Sequence, residues 1–190
     1  MRKTTIFSIT LLPMMIASGM MYSVLPIYIA EELGATKTQV GSLFTLGAMS
    51  GALAAYISGR VADRYGRKPL ILTSQISFAA VMLLYSLISD VIFAYPIHLI
   101  EGVAWSTLGV SAPTLIADLT RKDERGEAMG IYNSTWSVGW MIGPILGGLL
   151  SDLYGFRFML RVSFLTILAG TVASYIVLKS IKEEIREFSA

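Results

Sequence analysis

Cysteine is absent from all 190 residues, and histidine occurs once. The first absence excludes disulfides, thiolate metal sites and a cysteine nucleophile. The second excludes a histidine-rich zinc centre. Charge is scarce as well: Lys, Arg, Asp and Glu make up 15% of the chain, where a soluble domain carries about a quarter. The strings GxxxxGK[ST], GxGxxG, HExxH and GxSxG are also missing, and with them the phosphate-binding, zinc-protease and hydrolase-elbow chemistries they serve. No catalytic residue, cofactor, metal or nucleic-acid partner is expected, and the chain does not read as an enzyme.

The charges that exist are clustered. Residues 4–30, 38–59, 69–89 and 128–151 carry none, and the mean hydropathy is +0.65. An apolar run of about 20 residues is long enough to cross a hydrocarbon core of about 30 Å as a helix. Six spans are expected, at residues 6–29, 39–58, 70–89, 91–117, 128–150 and 158–178. They form one six-helix bundle over 1–178 that partners the lipid bilayer. The first could imitate a secretory signal, but its apolar region runs on through Tyr22, Leu25 and Ile29, too far for one. With six spans both termini share a face, and the cations say which. Arg2, Lys3, Arg60, Arg64, Arg67, Lys68, Arg121, Lys122, Arg125, Lys179, Lys182 and Arg186 fall on that face, against Lys37, Arg157 and Arg161 opposite. The positive-inside rule puts both termini in the cytoplasm of a multi-pass plasma-membrane protein. Residues 179–190, with Ile181, Ile185 and Phe188 at helical spacing among charges, read as an amphipathic cytoplasmic tail or as a solvated extension of span six.

A repeat runs through the chain at an offset of 89. Gly59, Asp63, Tyr65 and Gly66 at the end of span two reappear as Gly148, Asp152, Tyr154 and Gly155 at the end of span five, and Gly41 reappears as Gly130. An odd number of spans separates the copies, so residues of about 1–89 and 90–178 are expected as inverted three-helix repeats, a construction of secondary transporters.

Several residues stand out chemically. In the loop after span two, Gly59 suits a close helix approach, Gly66 a tight turn and Pro69 a helix start. Arg64, Arg67 and Lys68 suit the anionic cytoplasmic face. Asp63, which topology does not need, suits a nearby cation or helix N-terminus. In span five Gly139, Gly143 and Gly147 lie four apart on one face, which allows close packing in lipid, and Pro144 bends the helix. Asn133-Ser134-Thr135 matches a glycosylation sequon but lies within the span. Asn133 and Ser137 are expected to face the bundle interior, lining a polar path or bonding to neighbouring helices. His98 and Glu101 are the ionisable residues deep in span four, and they share a helix face. At about 1.5 Å per residue, Glu101 lies roughly 15 Å below the outer end. Such a residue is expensive in lipid unless paired, neutralised or facing water. The pair reads as a proton site, or as a permanently protonated Glu101 bonded to His98 or a carbonyl and serving structure alone.

The stretch Gly59-Arg60-Val61-Ala62-Asp63-Arg64-Tyr65-Gly66-Arg67-Lys68 resembles the signature loop G-x-x-x-D-R-x-G-R-K of the major facilitator superfamily (MFS). Leu25-Pro26-Ile27-Tyr28 with Glu31-Glu32-Leu33-Gly34-Ala35 is similar to the end of that family's first helix, and Arg121-Lys122-Asp123-Glu124-Arg125-Gly126 to its loop before helix five. Gly139-Trp140-Met141-Ile142-Gly143-Pro144-Ile145-Leu146-Gly147-Gly148 resembles its antiporter motif G-x-x-x-G-P-x-x-G-G. The resemblance implies an all-α fold, the N-terminal half of an MFS bundle. It also implies a conformational charge network in which Asp63 and Arg67 act with Asp118. It implies secondary transport of a small solute, most simply proton-coupled efflux, by rocking of two bundles. The second bundle would be another copy or a separately encoded C-terminal half. A non-transporting membrane subunit, or a fragment of a split or truncated transporter, is the alternative. Aligned on Gly102, His98 and Glu101 stand where the family has the arginine and glutamine of R-x-x-Q-G, so the arginine's role is not transferable. Tyr22, Trp105, Asn133 and Trp136 are expected to line the substrate path, and span one lacks the acid common in drug exporters.

Overall fold

A computed structural model describes residues 2–188, with side chains to residue 181. The described chain consists of α1 (Arg2–Thr10), α2 (Leu12–Glu31), α3 (Lys37–Tyr65), α4 (Arg67–Tyr85), a short 3₁₀ turn (Val91–Phe93), α5 (Ala94–Asp118), α6 (Arg125–Tyr154) and α7 (Phe156–Phe188). No strand occurs among the described residues. The stretches 2–31, 37–65, 67–85, 91–118 and 156–181 are long and apolar enough to cross a membrane. At 30 residues α6 has the length as well, and its charge-free stretch runs from 128 to 151. The helix is not among those five apolar stretches, its run being interrupted by glycines, tryptophans and Asn133-Ser134-Thr135.

Local chemistry sets the helix ends. Thr36 opens α3 with a reciprocal cap: its hydroxyl accepts from the Gln39 N–H at 3.2 Å and the Gln39 side chain accepts from the Thr36 N–H at 2.9 Å, as a capping box requires. Gly66 closes α3 at φ 88°, ψ 161°, and Gly155 closes α6 at φ 83°, ψ 160°. That region is essentially reserved for glycine. In each case the glycine N–H donates to the carbonyl four residues back, Ala62 or Ser151, at 2.9 Å. Gly66 and Gly155, one of the sequence-matched pairs 89 residues apart, thus adopt the same backbone turn. Expected span one divides at Leu11, just before Pro13, whose missing N–H interrupts the ladder there. Span three, expected to run to residue 89, ends earlier, because α4 stops at Tyr85. The backbone of the tail extends α7 to Phe188. The amphipathic face read at Ile185 and Phe188 falls on side chains outside the described residues.

Helix packing runs mainly between α2 and α6, between α3 and α5, between α4 and both α5 and α7, and between α2 and α7. The core is rich in methionine, with Met14, Met15, Met20 and Met21 of α2 and Met82 of α4 fully or nearly fully buried. Two helices present stripes of small residues instead. On α3 the buried residues include Gly47, Ser50, Ala54 and Ser58, and on α6 Gly139, Gly143 and Gly147. Ser50, Ala54 and Ser58 stand 89 positions before those three glycines. A methyl group built on Gly143 would fall 2.8 Å from Gly19 Cα, and one on Gly139 would lie 2.8 Å from the Met15 carbonyl carbon. The expected close packing of this stripe is therefore against α2.

Candidate functional site

The loop between α3 and α4 is organised by Arg67. One terminal nitrogen contacts Asp63 Oδ1 at 2.9 Å and Nε lies 3.1 Å from Asp118 Oδ2. The other terminal nitrogen donates to the Ala62 carbonyl at 3.4 Å. The end of α3, the start of α4 and the C-terminus of α5 are thereby joined, and Arg125 adds a bond to the Ala117 carbonyl at 3.2 Å. Asp63 is 74% exposed and Asp118 49%, so each pair is worth at most about 1 kcal/mol. Their effect is positional. Arg64 stands outside this network, with its guanidinium 5.3 Å from the Tyr65 ring. The close approach expected at Gly59 is not found: a methyl group there would meet nothing within 4 Å, because α3 packs through the adjoining stripe of Gly47, Ser50, Ala54 and Ser58.

An arginine that sequence reading passed over closes the other end of the bundle. Arg157 Nε contacts Glu32 Oε2 at 3.0 Å, and its terminal nitrogen donates to the Ile88 carbonyl at 2.9 Å. The end of α2, the α4–α5 turn and the start of α7 meet there. Its signal was present in the repeat, two residues after Gly155 as Lys68 is two after Gly66.

His98 and Glu101 are brought together deep in the bundle, 1% and 3% exposed. His98 Nε2 and Glu101 Oε2 are 3.8 Å apart, too far for a hydrogen bond. Glu101 Oε1 has no hydrogen-bond partner among the described residues. The other ring nitrogen, Nδ1, lies 2.9 Å from the Tyr85 hydroxyl, and the Phe44 ring stands edge-on with centroids 5.1 Å apart. Backbone contact makes room for this group. A methyl on Gly102 would land on the Gly47 carbonyl oxygen, and one on Gly47 would lie 2.8 Å from the imidazole. Ser50 adds a bond to the Leu99 carbonyl at 3.1 Å. Beside the pair is a cavity of about 290 Å³ bounded by Tyr22, Phe44, Gly47, Trp105, His98 and Glu101.

Aromatic rings continue from this cavity. Tyr22 meets Trp105 edge-on at 5.8 Å, and Trp105 meets Trp136 at 4.9 Å. Tyr22 also stacks on Trp140 at 5.8 Å. Three of the four residues expected on the substrate path, Tyr22, Trp105 and Trp136, therefore form one cluster from α2, α5 and α6, to which the structure adds Trp140. Asn133 does not join it. Asn133 and Ser137 are exposed, correcting the expectation that they face the interior, because the buried side of α6 is its glycine stripe. They are linked through the backbone, Ser137 donating to the Asn133 carbonyl at 3.1 Å. Pro144 lies on α6 beside Gly19, to which an added methyl would bring its Cδ within 3.1 Å, while Gly148 faces open space. No cluster of three or more potential metal ligands occurs among the described residues.

Three similar proteins are named as a transporter, an efflux pump and an antiporter. The chain is 32% identical to an uncharacterised MFS-type transporter of Methanocaldococcus jannaschii, over 91% of this chain and 45% of that protein. It is 30% identical to the multi-drug resistance efflux pump PmrA of Streptococcus pneumoniae, over 76% of this chain and 37% of the pump. It is 25% identical to a Na(+), Li(+), K(+)/H(+) antiporter of Planococcus maritimus, over 88% and 40% respectively. The chain spans less than half the length of these curated relatives. Their family profile covers residues 7–189, and the chain belongs to the Major Facilitator Superfamily.

Proposed function

We propose that this chain forms one six-helix bundle of a secondary transporter that exports a small solute in exchange for protons. The six spans comprise α1 with α2, and then α3 through α7, with both termini in the cytoplasm of the plasma membrane. They form two inverted repeats. Support for the inversion comes from packing that maps onto itself when the halves are exchanged: α2 on α6 answers to α5 on α3, and α7 on α2 answers to α4 on α5. The matching turns at Gly66 and Gly155 agree. So do the two arginine clasps, Arg67 to Asp118 and Arg157 to Glu32.

The observation that carries the functional reading is the carboxyl of Glu101. It is buried, has an oxygen without a partner among the described residues and borders a cavity walled by aromatic rings from α2, α3 and α5. An intramembrane acid of this kind is a candidate proton carrier by default. We assign His98 and Glu101 the proton, Tyr22, Trp105, Trp136 and the neighbouring Trp140 the solute path, and the Asp63–Arg67–Asp118 network the holding of one conformational state. Alternating access about a midplane site needs a second bundle, contributed by another copy or by a C-terminal half. The names of the pneumococcal pump and the planococcal antiporter favour efflux and proton exchange.

The test is proton flux into vesicles containing the assembled transporter, followed with an interior pH dye while a solute panel is applied. Glu101→Gln is expected to reduce solute-driven proton movement at least tenfold while helical content is kept. Unchanged proton movement in that variant would refute the assignment.

A further inference from the structure

The one histidine of the chain has a neighbour that neither its helix nor the family motifs supply. Tyr85 is the last residue of α4 and is fully buried. Its carbonyl, beyond the reach of its own helix, accepts the hydroxyl of Tyr28 from α2 at 2.7 Å, which holds the backbone that carries the Tyr85 ring. The Tyr85 hydroxyl has two partners within reach, His98 Nδ1 at 2.9 Å and the Ala94 carbonyl oxygen at 3.5 Å. Two arrangements satisfy these contacts: a hydroxyl that donates to Nδ1, or an Nδ1–H that donates to the hydroxyl while the hydroxyl donates to the Ala94 carbonyl. The shorter contact has ordinary hydrogen-bond length and the longer is at the limit, which favours the first. A neutral imidazole whose Nδ1 accepts must carry its own proton on Nε2, and Nε2 is the nitrogen that faces Glu101 across 3.8 Å.

We propose that Tyr85 is the positioning residue of the His98–Glu101 site, fixing the neutral imidazole as the Nε2–H tautomer with its donor aimed at the Glu101 carboxyl. This rests on the proton-site reading for its purpose, though not for its geometry. An ionised Glu101 then has a donor that reaches it after a shift of under about 1 Å, which is what a carboxylate buried beside apolar rings requires. The groups around the ring leave the choice to Tyr85. From α3 come Phe44 and Gly47, which do not titrate. From α2 comes Tyr28, engaged with the Tyr85 carbonyl, and from α5 itself comes Glu101, on the Nε2 side.

Because the chain has a single histidine, ¹⁵N-histidine labelling with a histidine-free tag gives one pair of ring signals in detergent micelles. At alkaline pH the wild type is expected to show its proton on Nε2 and a hydrogen-bonded Nδ1, a result that needs no variant. Tyr85→Phe, which removes one oxygen and keeps the ring, is expected to move the Nδ1 signal. It should also raise the Nδ1–H tautomer about threefold or more, the factor given by one ordinary net hydrogen bond. Glu101→Gln is expected to leave the Nδ1 signal in place. A wild-type proton on Nδ1, or Tyr85→Phe signals superimposable on the wild type, would overturn the proposal. Loss of proton flux is a separate readout: unaltered flux in Glu101→Gln with the tautomer as described refutes the proton-site reading and leaves the role of Tyr85 standing.

Discussion

Gly102 and Gly59 are both glycines in long helices, yet they differ in what surrounds them, and substitution should separate them. A methyl group at Gly102 would strike the backbone of α3 at Gly47, whereas one at Gly59 would meet open space. Gly102→Ala is therefore expected to destabilise by about 1–3 kcal/mol, the usual cost of overpacking where backbone is the obstacle. Gly59→Ala should be neutral or stabilising by up to about 1 kcal/mol, from helix propensity. Thermal midpoints in detergent read both, and equal midpoints would contradict the packing at α3–α5. At this scale sequence reading found His98 and Glu101 because charge is rare in lipid-spanning runs, and found the Gly139 stripe by its spacing. It missed Tyr85, since a tyrosine in an apolar run carries no mark of its partner, and it misplaced Asn133. Which side of α6 is buried depends on the glycine contacts with α2, and those are known only once the two helices are docked.

Helix ends are the next scale, and two of them share one unusual backbone. Gly66 and Gly155 sit at positive φ with ψ near 160°, where a side chain costs on the order of 1–3 kcal/mol. Gly66→Ala and Gly155→Ala are each expected to lower stability by that amount, although neither added methyl meets a neighbour within 4 Å. Conformation alone would be the cause. A fully stable pair of variants would contradict it. The clasps beside these turns predict a smaller effect. Asp118→Asn removes a half-exposed partner of Arg67 and should cost less than about 1 kcal/mol in stability. Under the proposed state-holding role it should still change solute flux severalfold, which the vesicle assay would read. The turn at Gly66 was legible because glycine, proline and cations punctuate it. The repeat marked the position of Arg157, but its partner Glu32 was not legible, because 125 residues separate the two.

Across the whole molecule the account depends on inversion: the turn at Gly66 and the turn at Gly155 must lie on opposite faces of the membrane. The all-helical, membrane-spanning character was legible from charge-free runs, and the proposed repeat was suggested by the offset of 89 residues. Packing was not, since which helix faces which is decided by small-residue stripes on α3 and α6 whose partners, α5 and α2, lie far away in the chain. The native sequence has no cysteine, so single cysteines can be placed without removing any. Arg64→Cys marks the turn after α3 and Asp152→Cys the end of α6, and neither residue belongs to a clasp. With a membrane-impermeant maleimide on intact cells, Asp152→Cys is predicted to label and Arg64→Cys to label only after permeabilisation. Labelling of both from the same side would contradict the inverted six-span arrangement on which the transporter reading stands.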